Sequence, residues 1–509
     1  MFLGMDVGTT GVKSVVVSVE RGVVFTHFEG YPLYSPYPGW SEQEPLDWWN
    51  AVLSSLRAVS RGLGSDAKRI KAISLSGQMH SSVFLDDSGN PIRRAILWND
   101  TRTFRQREFI ERSVGRERLL NRVYNLPLEG FTVPKILWFK ENEPELYGRL
   151  WKILLPKDYI SFKLTGRVVA ELSDAAGTGL FDVVNRRWAV DVIRELGLNP
   201  DFFPEVVGSF DVVGSLRREV AEEVGFDGGC VVVAGGADNV CGAVGSGVVR
   251  DGQALISLGS SGVVFVPTTD PERRDKSGVV HFFNHAPAGT WYNMGVTLSA
   301  GLSLKWFKEV FCRLEDVASE VVGADVYDVL LKGAEGIPPG SEGLVFLPYL
   351  NGERSPHMDS KARGVFVGIS LRHTKSHFVR SVLEGVSYSI RDVVDLLEAA
   401  GIRLEDVRVT GGGAKSRLWL EIISSLLGVE VRKLEVDEGP AFGASVIAAV
   451  GVQEYGDVYE AVERLVKTGE VVAPDPAYRE TYQKWHRLYR RLYPALKDYM
   501  HASFDALAG

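Results

Sequence analysis

The sequence predicts an α/β protein built from two related domains. Three observations carry that expectation. The chain has 509 residues, too many for one hydrophobic core, so two large domains are the default. Val-rich runs that read as strands alternate with stretches of helical periodicity, and glycine turns join them. One motif occurs twice, about half a chain apart: "LGMDVGTTGVKSVVV" near the start and "LISLGSSGVVFV" from Leu255 to Val266. Gly8-Thr9-Thr10-Gly11-Val12 aligns with Gly259-Ser260-Ser261-Gly262-Val263, with the same spacing and the same flanking strands. That agreement favours duplication over a chance likeness of Gly/Ser/Thr turns.

The first copy reads as strand, tight hairpin, strand. Its small turn leaves backbone N–H groups free to cradle a phosphate, and Asp6 is placed to hold a cation beside it. An ordinary hairpin with a surface Asp is the plainer alternative. Next, "LSGQMHSSV" sets Gln78, Met79 and His80 after a strand and a glycine, a set suited to a small polyhydroxylated ligand. Trp98, Asn99, Asp100 and Arg102 either join that pocket or form a polar turn. In "VVVAGGADN" the strand Val231–Ala234 runs into two glycines, so Asp238 and Asn239 project at a strand end, where α/β folds place ligands. Asp238 suits a proton acceptor and Asn239 a hydroxyl ligand; a helix N-cap is the competing role.

The domain break is expected near Val248–Asp251, giving domains of residues 1–248 and 249–509, with a hinge there that few contacts restrain. The second hairpin follows, and two phosphate-facing hairpins would clamp a nucleotide across a cleft. "SHFVRSVLEGVSYSIRDVVDLLEAAG" predicts a helix capped at Ser376 and stopped at Gly401, with Val379, Leu383, Val386, Ile390, Val394 and Leu397 on its apolar face. The strand Val407–Thr410 enters the turn Gly411-Gly412-Gly413, which lets a ligand approach the backbone, and a helix follows with Ile422, Ile423 and Leu426 inward. "EGPAFGASVIAAVG" opens a short apolar helix. In the tail, Tyr482, Trp485 and Tyr489 fall on one face of a packing helix whose basic side is solvated.

A net charge of −8 argues against a general nucleic-acid or membrane-surface binder. Cys230, Cys241 and Cys312 are widely spaced, show no metal-ligand pattern and fit a reducing, cytoplasmic setting. The start reads as neither a signal peptide nor an anchor. His281 and His285 have i, i+4 spacing, but their surroundings are not helical, so no metal pair is expected there.

Together several stretches resemble the FGGY carbohydrate kinases. "GFTVPKILWFKEN" (Gly130–Asn142) is similar to one family signature and "GVFVGISLRHTKSHFVRSVLE" (Gly364–Glu384) to the other. "LSGQMHSSV", "LWNDTR", "SDAAGTGLFDV", "GGADN", "LGSSGV", "LPYLNGERSPHMD" and "TGGGAKSRLW" follow in the family's order. Ser260 stands where a Thr is usual, and Ser81 where a Gly is common. The resemblance implies a duplicated actin-like, ribonuclease-H-like fold with ATP between the domains. By the same resemblance Asp6 would hold Mg²⁺, and Gly8, Thr9, Thr10 and Gly11, with Lys13 nearby, and Gly259, Ser260 and Ser261 would face the ATP phosphates. Gly411–Gly413 would lie against the nucleoside. Asp238 would take the proton from the sugar's C5 hydroxyl, and Gln78, Met79, His80 and Asn239 would bind the sugar, with D-xylulose implied ahead of ribulose, a polyol or gluconate. An actin-like ATPase without a small acceptor is the rival from another class. No nucleic-acid or membrane partner is expected, and a homodimer stays open.

Overall fold

Two mixed sheets organise the chain, seen here in a computed structural model that describes residues 1–436 and 438–508. The first is built from β1 (Phe2–Val7), β2 (Gly11–Ser18), β3 (Gly22–Gly30), β4 (Ala72–Gly77), β5 (Val212–Ser215) and β6 (Val231–Ala237), in the order β5-β6-β4-β1-β2-β3. The second holds β7 (Gln253–Leu258), β8 (Gly262–Thr268), β9 (His281–Asn284), β10 (Trp291–Thr297), β11 (Asp406–Thr410), β12 (Val431–Leu434) and β13 (Thr468–Val472), in the order β9-β10-β8-β7-β11-β12-β13. In each sheet the first strand pairs antiparallel with the second and parallel with a later one: β1 with β2 and β4, β7 with β8 and β11. The parallel set then continues outward, β4 to β6 and β11 to β12. The duplication legible in the hairpins thus extends to the strand order of both sheets.

Alternation along β1 sets the layers. Leu3, Met5 and Val7 join a core with Trp48, Val52, Leu56 and Val59 of helix α1 (Pro45–Leu63). Phe2 belongs to a different core on the opposite side, and Gly4 and Asp6 share its parity. That second core mixes both halves of the chain. It joins Val240 and Val244 of α2 (Asp238–Gly245) to Ala441, Ala444 and Ala448 of α6 (Gly439–Gly451). α2 follows β6 and α6 follows β12, so the two are equivalent elements of the duplication. They meet through glycine: a Cβ at Gly443 would lie 1.7 Å from the Cys241 carbonyl oxygen, and one at Gly4 would lie 1.9 Å from that of Ala441.

Other elements are α3 (Gly301–Phe311), α4 (Lys375–Ala399), α5 (Arg417–Leu427), α7 (Pro476–Tyr489) and α8 (Leu492–Ala508). α4 buries the six apolar residues expected, but Thr374 rather than Ser376 caps it, in a reciprocal box with His377, because the helix starts two residues earlier. Tyr482 and Tyr489 of α7 are buried. The segment 248–251 is no loose hinge: Val248 and Val249 are buried, and the Val248 carbonyl accepts from His285 Nε2 at 3.0 Å. His281 lies in β9, and its neighbourhood is extended, as expected.

Gly443→Ala tests the helix contact. Ala is favoured over Gly inside a helix by about 1 kcal/mol. A methyl pressed on a carbonyl should outweigh that, since overpacking costs ~1–3 kcal/mol or more. The melting temperature is expected to fall; a rise would show that α2 and α6 are not held at this spacing.

Candidate active site

Strand register brings the acids together. Asp6 of β1 is level with Ser76 of β4, which is level with Gly236 of β6. Ser76 Oγ donates to Asp6 Oδ1 at 2.8 Å. Gly235 has φ +83°, and a Cβ there would lie 1.8 Å from the Leu75 carbonyl oxygen, so only glycine allows the irregular approach of β6 to β4. Asp238 is the first residue of α2, and its Oδ1 accepts from the Asn239 N–H at 2.7 Å. Ala237 is the N-cap, so Asp238 stands just inside the helix instead of capping it.

A buried polar network holds this strand end from behind. Ser173 Oγ accepts the Ala237 N–H at 2.9 Å and donates to Glu171 Oε2 at 2.6 Å. Ser209 Oγ donates to Glu171 Oε1 at 2.7 Å. The buried Lys157 ammonium lies 2.7 Å from Asp158, 3.2 Å from Asp174 and 3.4 Å from Glu171. One cation thus serves three buried carboxyl groups, and Asp174 is held far above the usual carboxylate range, first by burial. No local motif marked Lys157 or Glu171 beforehand, and Ser173 entered only as the first residue of the stretch "SDAAGTGLFDV"; the fold brings all three to Ala237.

Asp238 is pushed up to about 7, first by loss of solvent and then by the charge of Asp6, with the Asn239 N–H opposing. Asp6 is raised too, mainly by desolvation, against the pull of Ser76 and Lys13. Lys13 Nζ itself is paired with Glu438 at 2.7 Å. Among the described residues Asp6 Oδ2 has no hydrogen-bond partner, and it lies 3.6 Å from where a Cβ on Gly8 would be. An unpaired carboxylate oxygen turned toward the hairpin fits a hard divalent cation.

The first hairpin is braced at its base. Tyr31 and Gln78 donate to the Gly8 carbonyl, Gln43 Nε2 to the Thr9 carbonyl at 2.7 Å, and Trp98 Nε1 to Thr9 Oγ1 at 3.0 Å. Thr10 is exposed at the tip, and Gly11 opens β2. Gln78 also donates to Gln43 Oε1 at 2.9 Å and accepts from Ser81 Oγ at 3.1 Å. Its amide is therefore held at the base of the hairpin.

Around the second hairpin, Gly259 and Ser260 meet Gly412 and Gly413 at a cavity of about 700 Å³. Ser261 sits at the hairpin beside them. Gly411 has φ +84°, and a Cβ there would press on the Leu258 carbonyl at 2.8 Å. Gly412 has open space where its Cβ would be. Leu302, Tyr327 and Leu331 add an apolar wall that the sequence reading had not singled out.

A second cavity, of about 510 Å³, is lined by His80, Trp98, Asn99, Asp100 and Phe131 from the first half and by Glu353 and Arg354 from the second. His80 has φ +64°; its Nδ1 lies 2.5 Å from the Gly177 carbonyl and its ring stacks on Phe131 with centroids 4.3 Å apart. Desolvation lowers its pKa to about 3, so the ring is neutral, Nδ1 donates to Gly177, and Nε2 remains an acceptor. Asn239 Nδ2 reaches Met79 Sδ at 3.4 Å, linking Asp238 and Asn239 to the His80 segment. Arg102 turns away, to Asp100 at 2.6 Å and Glu42 at 2.8 Å.

The model of the FGGY carbohydrate kinases' N-terminal domain matches residues 1–245, and that of their C-terminal domain residues 254–452. The chain is 40% identical over 496 residues to the xylulose kinase of Bacillus subtilis (strain 168), covering 97% of each. Among solved structures it is similar to ligand-bound xylulose kinase from Lactobacillus acidophilus, with TM-score 0.90, 25% identity and coverage of 97% and 98%. It is also similar to gluconate kinase from the same organism, with TM-score 0.88, 25% identity and 97% of each chain covered. The paired sheets are the two-domain, actin-like arrangement of these sugar kinases. Among the described residues no helix is long and apolar enough to cross a membrane.

Asp238→Asn separates stability from activity. The folded state keeps the Asp238 proton up to about pH 7, whereas an unfolded chain releases it near 4. Wild-type stability from this group is therefore lost between those values and stays lost above them. The variant's melting temperature should exceed that of wild type by a margin that grows from pH 5 to 7.5. A margin flat with pH would contradict the desolvated carboxyl.

Proposed function

Because the chain belongs to the FGGY family of carbohydrate kinases, we propose that it transfers the γ-phosphoryl group of ATP to the C5 hydroxyl of D-xylulose. The observation that carries this reading is Asp238, which follows the strand end that register sets beside Asp6, feels the charge of Asp6, and is linked through Asn239 and Met79 to the His80 segment. Asp238 accepts the C5 hydroxyl proton as that oxygen bonds to the γ-phosphorus and the bond to the departing ADP oxygen breaks. Asn239, Met79 and the His80 Nε2 acceptor orient the sugar. The backbone of Gly8–Gly11 and of Gly259–Gly262 meets the phosphates, and Gly411–Gly413 with Tyr327 borders the nucleoside. Asp6 would hold Mg²⁺, which supplies charge neutralisation to the phosphates. Residues 1–248 would then carry the sugar site, the base and the first hairpin, and residues 249–509 the second hairpin and nucleoside turn. Closing the halves would exclude water, the competing acceptor. Three free, buried cysteines and ATP as donor support a cytoplasmic setting.

Coupled ADP release across pentuloses, hexuloses, polyols and gluconate tests the acceptor. D-Xylulose should give the largest kcat/KM, and ATP hydrolysis without sugar should be slow. A preference for gluconate, or a full ATPase rate without sugar, would overturn the assignment. Asp238→Asn should lower kcat by ~10²–10⁴-fold with sugar affinity kept. Since the base must be ionised, wild-type kcat/KM for the sugar should decline below about pH 7, the value to which Asp238 is pushed. Asp6→Ala should raise the Mg²⁺ requirement while calorimetric sugar titration stays as in wild type; lost sugar affinity with ordinary Mg²⁺ dependence would refute the role of Asp6.

A further inference from the structure

Arg354 is a cation of the His80 cavity that has no salt-bridge partner among the described residues. The other arginines lining it are spent: Arg107 pairs with Glu129 at 3.0 Å, and Arg116 with Glu111 at 3.5 Å. Among the described residues the Arg354 guanidinium makes no hydrogen bond and no ion pair. Glu353 and Glu129 act on it through space, without a bond to the guanidinium. The Glu353 carboxyl is buried, takes the Leu298 N–H at 2.9 Å and the Arg354 N–H at 2.8 Å, and is pushed up to about 8 by burial. The Arg354 charge is felt by His80 and His281, both of which it pushes further toward the neutral ring.

The segment that carries Arg354 is braced from outside the cavity. Glu353 and Asp359 pair through both backbone bonds, at 2.9 and 2.8 Å, closing the loop on itself. Asp359 Oδ2 accepts from Tyr493 Oη at 2.6 Å and pairs with His501 Nε2 at 2.7 Å, both from α8. The His357 ring stacks on Tyr493 with centroids 3.8 Å apart. The C-terminal helices, beyond the residues the family models match, thus fix the cavity wall that holds Arg354. A guanidinium held by such a wall loses little further freedom on meeting a ligand.

The chemistry of the cavity is divided. His80 Nε2 in the cavity, and Asp238, joined to the His80 segment through Asn239 and Met79, are acceptors, which a sugar hydroxyl satisfies by donating. A ketone oxygen cannot donate and needs donors. The guanidinium is donor-only, and its fork spans two neighbouring oxygens. We infer that Arg354 is a specificity-determining residue that binds the carbonyl oxygen of the sugar and an adjacent hydroxyl, so that the site selects a ketose over the matching polyol. This rests on the sugar-kinase reading above.

The test compares D-xylulose with xylitol, which differs in having a hydroxyl for the carbonyl. KM for D-xylulose and the competitive inhibition constant of xylitol are measured for wild type, Arg354→Met and Arg354→Gln, with KM for ATP as the check on the fold. Loss of a charged hydrogen bond should raise KM for D-xylulose by ~10–100-fold in Arg354→Met and less in Arg354→Gln, which keeps an N–H donor. The xylitol constant should move less than about threefold, because the in-plane lone pairs of an α-hydroxy ketone match the planar guanidinium fork, whereas the staggered vicinal hydroxyls of xylitol do not. Equal losses for both ligands, or no loss for D-xylulose, would overturn the inference. So would a wild type that prefers gluconate and an Arg354→Met that loses only gluconate, since the guanidinium would then read a carboxylate. A wild type inactive on every pentulose would instead sink the proposed function, whatever the variants do.

Discussion

Keeping two carboxyl groups, Asp6 and Asp238, together at desolvated strand ends is the constraint on which the rest of this structure depends. Each raises the cost of ionising in a site with little water, and the charge of Asp6 adds to the burden on Asp238. Such a pair persists only where the backbone leaves it no alternative. The backbone does so through three neighbouring parallel strands and a glycine that lets β6 press on β4, while the Ser76 hydroxyl holds Asp6. Behind them Lys157, Glu171 and Ser173 tie the end of β6 to the neighbouring helices. An isolated ammonium would be costly in that interior; surrounded by three carboxyl groups it holds several elements at once.

Duplication explains how the acids come to face a cleft. Each half supplies the same hairpin and the same parallel strands, and each sends a helix from the end of its third parallel strand to the boundary. Those helices, α2 and α6, meet through glycine backbone, so the two sheets approach closely at their centre. Side chains at Gly4, Gly245 or Gly443 would wedge them apart. The same closeness places Glu438, at the start of α6, on Lys13 of the first sheet, linking the first hairpin's strand to the other half.

The two cavities differ in what shapes them. The one at the second hairpin is bordered by glycine turns and by the helix of Tyr327 and Leu331, all from the second half of the chain. The one at His80 draws walls from both halves, and its far wall is held by Tyr493 and His501 of the last helix. The basic, aromatic tail therefore does more than pack. Its apolar face fills a core through Tyr482 and Tyr489, while α8 holds Asp359 at the edge of the cavity.

The sequence by itself determined the two-domain α/β class, the duplicated hairpin, Asp6, the strand-end pair Asp238-Asn239 and the glycine turn at Gly411–Gly413. These are local: alternation, turn chemistry and a carboxylate after glycines are written in runs of a few residues. Gln78 stands two residues before His80, which lines the cavity, yet the tertiary fold gives its amide to Gln43 and the first hairpin. Only the tertiary structure brought Lys157, Glu171 and Ser173 behind Ala237, and Arg354 across from His80. Those groups are separated by tens to hundreds of residues along the chain. Their meaning comes from which partners each side chain has and which it lacks, and that is settled by packing between elements rather than by any local pattern.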